Sequence, residues 1–200
     1  MARELAPPTS ARRAELLELA YRYVLEHGIS TLSLRPLAAA VGSSPRVLLF
    51  LFDSKEGLVR ALLARARVDE LDLLDRLRST DAGRDLPTVA KAVWEWLAAP
   101  EHRDLLRLWA EGYARSLVEP DGPWAGFAAA TVTDWLDLLA TTQPPRVRDT
   151  PTGVAERTLT LAVLRGALLD LLATGDRERT AAAVDLSLAG LRTASPLPPR

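Results

Sequence analysis

The sequence predicts an all-α protein, on three observations. Its long segments repeat apolar residues at i, i+3, i+4 and i+7, the spacing of one helix face. No segment alternates convincingly as a half-buried strand would. Polar runs rich in Gly, Pro, Asp and Thr separate the helical segments, at 79–87, 98–104, 118–124, 141–153 and 173–179.

The first helix spans about Ser10 to His27, with Leu16, Leu17, Ala20, Tyr21 and Val24 on one face and Glu15, Glu18, Arg22 and Glu26 on the other. Gly28 ends it, as a glycine just past a helix does. Ser33 reads as the N-cap of a short second helix whose apolar positions are Leu34, Leu37, Ala38 and Val41. Gly42 closes that helix, Ser43 and Ser44 follow, and Pro45 suits the first turn of a third helix, Pro45 to Phe52. Asp53 or Ser54 caps the fourth helix, with Glu56 placed to complete a capping box with Asp53. Leu58, Val59, Leu62, Leu63, Ala66, Leu73 and Leu77 carry it towards Ser79. Five further helices lie between the later breaks, about nine in all.

Composition bounds the chemistry. A hydrophobic share of 48% supplies a core, and a net charge of −1 places any attraction to nucleic acid in a local patch. There is no cysteine, so disulfides, thiolate ligands and cysteine nucleophiles are excluded. His27 and His102 stand in no metal-ligand spacing. No phosphate-binding glycine loop or nucleophile elbow is present. The expectation is a non-enzyme without metal or cofactor. No apolar run reaches the ~20 residues of a membrane span, and the N-terminus lacks a secretory h-region. A cytoplasmic protein with no membrane partner is expected.

The second and third helices, joined by a short glycine-containing turn and braced by the first, form a helix-turn-helix. From spacing alone this is either a DNA-reading unit or a plain helical corner. Residues 12 to 63, with the blocks HGISTLSLRPLAAAVG and FDSKEGLVRALL, resemble the DNA-binding domain of the TetR/AcrR family of bacterial transcriptional regulators. The resemblance implies a homodimer that binds a double-stranded operator and responds to a small-molecule effector. It implies a DNA-binding domain over 1–54, a ligand-binding and dimerisation domain over 55–193, and a flexible tail over 194–200.

Arg46, in the first turn of the third helix, can fork onto guanine O6 and N7. Ser43, Ser44 and Val47 flank it. Ser33, Arg35, Lys55, Arg12 and Arg13 are candidates for phosphate, since helix N-termini and nearby cations hold anions. Arg3 on the N-terminal arm is a further candidate. Residues 1 to 55 hold seven cations (3, 12, 13, 22, 35, 46, 55) against five acids (4, 15, 18, 26, 53), a small surplus. The departure from the family is PRVLLFLF itself. Leu49 replaces a common tyrosine, and Phe50 and Leu51 stand where relatives carry polar groups. Either they read thymine methyls, or the helix packs elsewhere and the chain is a ligand-binding or scaffold dimer without operator binding. Leu48 and Phe52 are expected in the core.

The five tryptophans all fall between residues 94 and 135. They fill the core or, with their neighbours, line a ligand pocket. The pocket candidates are Trp94, His102, Trp109, Tyr113, Trp124, Phe127, Thr131, Trp135 and Arg165. On the sixth helix Leu105, Leu106, Trp109 and Tyr113 form the expected inner stripe. Arg107, Glu111 and Arg115 form a solvated row opposite. The eighth helix, about Pro151 to Ala173, is apolar nearly all round and should be buried on two sides, one against a partner. Leu161, Ala162, Gly166 and Leu169, with Leu186, Ala189 and Gly190 of the ninth, are the dimer-interface candidates. Arg165 meets either a ligand or a carboxylate across that interface.

Overall fold

The computed structural model describes residues 9–80 and 85–194. The arm at Arg3 and the tail after Ala194 lie outside the described residues. Among those described there is no strand. There are ten α-helices and a 3-10 turn, Pro100–His102. The helices are α1 Thr9–His27, α2 Leu34–Ala40, α3 Pro45–Phe52, α4 Lys55–Thr80 and α5 Leu86–Leu97. There follow α6 Arg103–Val118, α7 Phe127–Thr141, α8 Pro145–Arg148, α9 Pro151–Thr174 and α10 Arg177–Ala194. The all-α class holds, with one more helix than the periodicity suggested. The single turn α8 lies in a segment read as loop, where prolines 144 and 145 pre-set the backbone. A four-residue turn is too short to carry a periodic signal.

The chain divides into two compact units, residues to 69 with 107–128, and 70–106 with 129 onward. The first unit reaches beyond the expected boundary at residue 54, because α4 and α6 complete its core. Leu16, Ala20, Tyr21 and Val24 of α1 meet Leu37, Ala38 and Val41 of the α2 segment there. Leu48 and Phe52 of α3, Leu58, Leu62 and Leu63 of α4, and Leu108, Trp124 and Phe127 join them. Ile29 and Leu32 anchor the connection between α1 and α2 in the same core.

Polar contacts then fix the helices of this unit. The Arg65 guanidinium donates to Glu18 (2.6 Å) and to Asp69, and lies 4.8 Å above the Tyr21 ring. The Tyr21 hydroxyl donates to Asp69 at 2.7 Å. Burial, reinforced by that carboxylate, raises the Tyr21 pKa, so the phenol stays protonated as a donor. Glu18, expected on a solvated face, therefore joins α1 to α4.

The entry to α4 is settled by Ser54, whose hydroxyl accepts the Gly57 N–H at 2.9 Å. Asp53 instead takes φ 66°, so the capping box expected at Asp53 gives way to a serine cap. Gly57 sits directly beneath the end of α3. A Cβ there would lie 2.0 Å from the Phe52 carbonyl oxygen.

In the second unit, α5, α9 and α10 pack on one another around Val89, Val93, Trp94, Leu164, Leu168, Val184 and Leu188. Asp85 caps α5, accepting the Thr88 N–H at 3.0 Å, and Thr150 caps α9, accepting that of Gly153 at 3.1 Å. Lys91 of α5 reaches Asp185 of α10 at 2.6 Å. The Asp170 carboxylate, which interrupts an apolar run on α9, takes both terminal nitrogens of Arg179 at 2.7 and 2.6 Å.

Replacing Gly57 by alanine is expected to lower stability by about 2–3 kcal/mol, since the obstructing atom is backbone and cannot rotate away. Thermal unfolding of Gly57→Ala against the parent reads this directly, and an unchanged midpoint would refute it.

Candidate nucleic-acid interface

The turn between α2 and α3 is built from its capping bonds. The Ser43 N–H donates to the Ala38 carbonyl at 2.8 Å, and the Gly42 N–H to that of Ala39 at 3.3 Å. This pairing requires a left-handed residue just past the helix, and Gly42 supplies it at φ 62°. A Cβ on Gly42 would touch nothing, so the glycine serves the backbone rather than the packing. Ser44 is extended, and its hydroxyl accepts the Val47 N–H at 3.3 Å while Pro45 opens the helix. That hydroxyl still has a proton to donate outward.

Helix α3 has two sides. Leu48 and Phe52 are buried, and Leu51 is half-buried against the same core. Arg46 is exposed, as are Val47 (38%), Leu49 (40%) and Phe50 (74%). Leu51, grouped with Phe50 by the sequence, therefore belongs with the core. One helical turn separates Arg46 from Phe50, so the two share a line along the outer face.

The flanking candidates divide. Arg35 and Lys55 are exposed at the starts of α2 and α4, and with Arg46 they form no ion pair. Ser33 holds the N-cap position of α2, but its side chain makes no capping bond. Arg12 pairs with Glu15 at 2.7 Å. Arg13 is engaged with α3: its Nε donates to the Leu51 carbonyl at 3.1 Å, and its guanidinium lies 4.8 Å from the Phe52 ring centroid. Its observed contacts seat α3 rather than leave it free for phosphate.

The main residue missed by the sequence reading is Glu111. Placed on a solvated row, it instead turns inward on α6. One carboxylate oxygen accepts the N–H of Ile29 (2.8 Å), the N–H of Ser30 (3.0 Å) and the Ser30 hydroxyl (3.2 Å). The turn leading into α2 is thus held by an anion on two amides. Leu108 and Gly112 face the core, and a Cβ at Gly112 would lie 3.0 Å from Leu63. Trp109 and Tyr113, expected inside, are half-buried with ring centroids 5.0 Å apart.

The remaining pocket candidates stand in different surroundings. Trp124 and Phe127 belong to the first unit's core. In the second unit Trp94 and Thr131 are fully buried, Trp135 donates to Glu70 at 2.7 Å, and Arg165 is half-buried on α9. His102 stacks on Trp96, centroids 3.9 Å apart, with its Nδ1 2.8 Å from the Trp96 carbonyl oxygen. A cavity of about 130 Å³ does open in the second unit. Its wall includes Leu97, Pro100, Leu106 and Leu172 with Arg103 and Arg177, and none of the expected side chains.

Of the interface candidates, Leu161 is buried within the chain. Ala162, Gly166, Leu169, Leu186, Ala189 and Gly190 are exposed. With Leu159 they leave an apolar face on α9 and α10. A Cβ on Gly166 or Gly190 would meet nothing within 4 Å.

Comparison with known proteins follows this geometry. The model of the bacterial regulatory proteins of the tetR family matches residues 16–62. The HTH-type transcriptional regulator Rv1816 of Mycobacterium tuberculosis (strain ATCC 25618 / H37Rv) is 29% identical over 134 residues, 64% of this chain and 55% of that protein. The match thus spans about half the length of that curated relative. A transcriptional regulator from Rhodococcus sp. Rha1 superposes with a TM-score of 0.74 at 21% identity, over 93% of this chain and 99% of that one. The multidrug binding protein EbrR, complexed with imidazole, gives a TM-score of 0.63 at 23% identity, over 100% and 96%. At these identities the structural likeness is one of fold.

Removing the Glu111 carboxylate leaves the Ile29 and Ser30 amides without their acceptor. Glu111→Ala is expected to cost about 1–3 kcal/mol in chemical denaturation, with Glu111→Gln recovering part of the loss. Equal stability of Glu111→Ala and the parent would remove the clamp from this account.

Proposed function

We propose that the chain, whose residues 16–62 match the model of the tetR family of bacterial regulatory proteins, is a cytoplasmic, homodimeric repressor released from its operator by a small molecule. The observation that carries the DNA-binding part is the seating of α3. Leu48 and Phe52 fix it in the core while Arg46 is exposed in its first turn, and Arg35, Arg46 and Lys55 have no ion-pair partner among the described residues. An N-terminal helix end with a free arginine is what enters a major groove and forks onto guanine.

Homodimer formation is supported by the outer face of α9 and α10. Leu186 is 78% exposed and Leu169 47%. Mid-helix glycine costs roughly 1 kcal/mol against alanine, yet among the described residues nothing lies within 4 Å of a Cβ on Gly166. Close approach of a second copy would use that space. Two copies would then read half-sites about one DNA turn apart.

The effector is supported by the apolar cavity with its two arginines in the second unit. EbrR, a neighbour in fold, is itself described as a multidrug binding protein. A ligand would release the operator only by preferring the dimer state that does not fit DNA.

Fluorescence anisotropy on the DNA upstream of the chain's own gene, beside a scrambled duplex and across a salt series, tests the reading. Preference by roughly a thousandfold is expected. Equal binding to both duplexes at every salt concentration would count against a specific operator there. Arg46→Ala should cost about 1–3 kcal/mol of specific affinity and leave the melting midpoint unchanged. A loss of folding instead would make Arg46 structural. Leu186→Glu should shift the mass by light scattering from dimer to monomer, and an unshifted dimer would move the interface elsewhere.

A further inference from the structure

The side-chain inventory of α3 restricts what this helix can recognise. Among its eight residues, PRVLLFLF, only Arg46 has a side chain able to hydrogen-bond. Ser43 and Ser44 precede the helix; the Ser44 oxygen caps the Val47 N–H, which leaves it one hydroxyl proton to donate at the very start of the helix. Everything else on the outward side is hydrocarbon: Val47, Leu49 and, most exposed of all, Phe50 at 74%. No acid lies on α3, and Arg35 and Lys55, in the first turns of the two neighbouring helices, have no ion-pair partner among the described residues. The apolar patch is continuous along α3 with Arg46, the one charge the helix carries. A cation and hydrocarbon on one helix face, with no acid, suit a polyanion with apolar points in its groove.

The major groove offers one apolar feature, the thymine C5 methyl group; the other marks of its base edges are hydrogen-bonding atoms. Once Arg46 has taken its guanine, the rest of α3 can discriminate only by methyl contact. We propose that Phe50, with Val47 and Leu49, is a reader of thymine methyls, so that thymines accompany the guanine bound by Arg46 in each half-site. This rests on the operator-binding reading above and gives it a base class. Phe50 is free for the task because Leu48 and Phe52 hold the helix without it.

The full-length chain would first be used to select duplexes from a random pool. Each thymine of the enriched half-site would then be replaced by deoxyuridine, which removes the methyl and keeps the pairing. Roughly a fourfold loss of affinity per contacted methyl is expected, at one or two positions next to a guanine. In Phe50→Ala, which should fold normally, the loss should disappear at the thymine that Phe50 contacts, whatever Val47 and Leu49 retain elsewhere. Uniform tolerance of deoxyuridine with specific binding intact would overturn methyl reading and leave the regulator standing. Persistence of the loss at every contacted thymine in Phe50→Ala would overturn the role of Phe50. A pool that enriches no sequence would overturn operator binding, and methyl reading with it.

Discussion

The burial of Leu48 and Phe52 is the constraint from which the rest of the first unit follows. Both side chains leave the same side of a two-turn helix, and both reach the core made by α1, α2 and α4. With that side buried, the rotation of α3 about its own axis is determined. Arg46 and Phe50 must face outward, because residues four apart share a line and those two lie off the buried one. The outward position of Arg46 and Phe50 is therefore set by packing and not by any interaction they make themselves.

Three devices hold the core around that helix. Arg13 covers the Phe52 ring and binds the Leu51 carbonyl, so the C-terminal end of α3 is tied to α1. Gly57 lets the first turn of α4 slide under the Phe52 carbonyl. Glu111 fastens the turn ahead of α2 from α6. Arg13 and Glu111 each supply a partner to backbone groups outside the regular helix ladders, and Gly57 supplies room. Helices this short have little stability of their own, so the terminal partners and the shared core define them together.

The apolar outer face of α3 exposes hydrocarbon to water in the free protein. Such exposure is common one residue at a time and less so as a patch on a short helix. The same holds for Leu169 and Leu186 on α9 and α10. The two patches differ in their surroundings. The first shares its helix with an exposed arginine and no acid, and the second combines leucines with small residues and glycines. Those surroundings, more than the hydrocarbon, point one patch towards DNA and the other towards a second copy.

The sequence by itself determined the helices and most of their ends, the turn at Gly42, the cap at Ser44, the core roles of Leu48 and Phe52, and the likeness of residues 16–62 to the tetR family model. These are signals that act within one or two helical turns: periodicity, caps, and glycine past a helix end. It was silent on the partner of Glu111, some eighty residues away in the chain, and on the engagement of Arg13. Of the inner stripe expected on α6, Leu106 is buried and Trp109 packs against the core, half-buried. Leu108 and Gly112 are buried as well, where α6 passes close to Leu63 and Phe127 and a Cβ at Gly112 would be crowded. The sequence could not choose between Asp53 and Ser54 as a cap, since either fits the local pattern. Nor could it bring the aromatic residues into one pocket, for aromatic content alone does not say which core a ring fills. Those outcomes depend on which helix lies opposite, and only the tertiary structure decided them, because a contact between distant segments leaves no period in either.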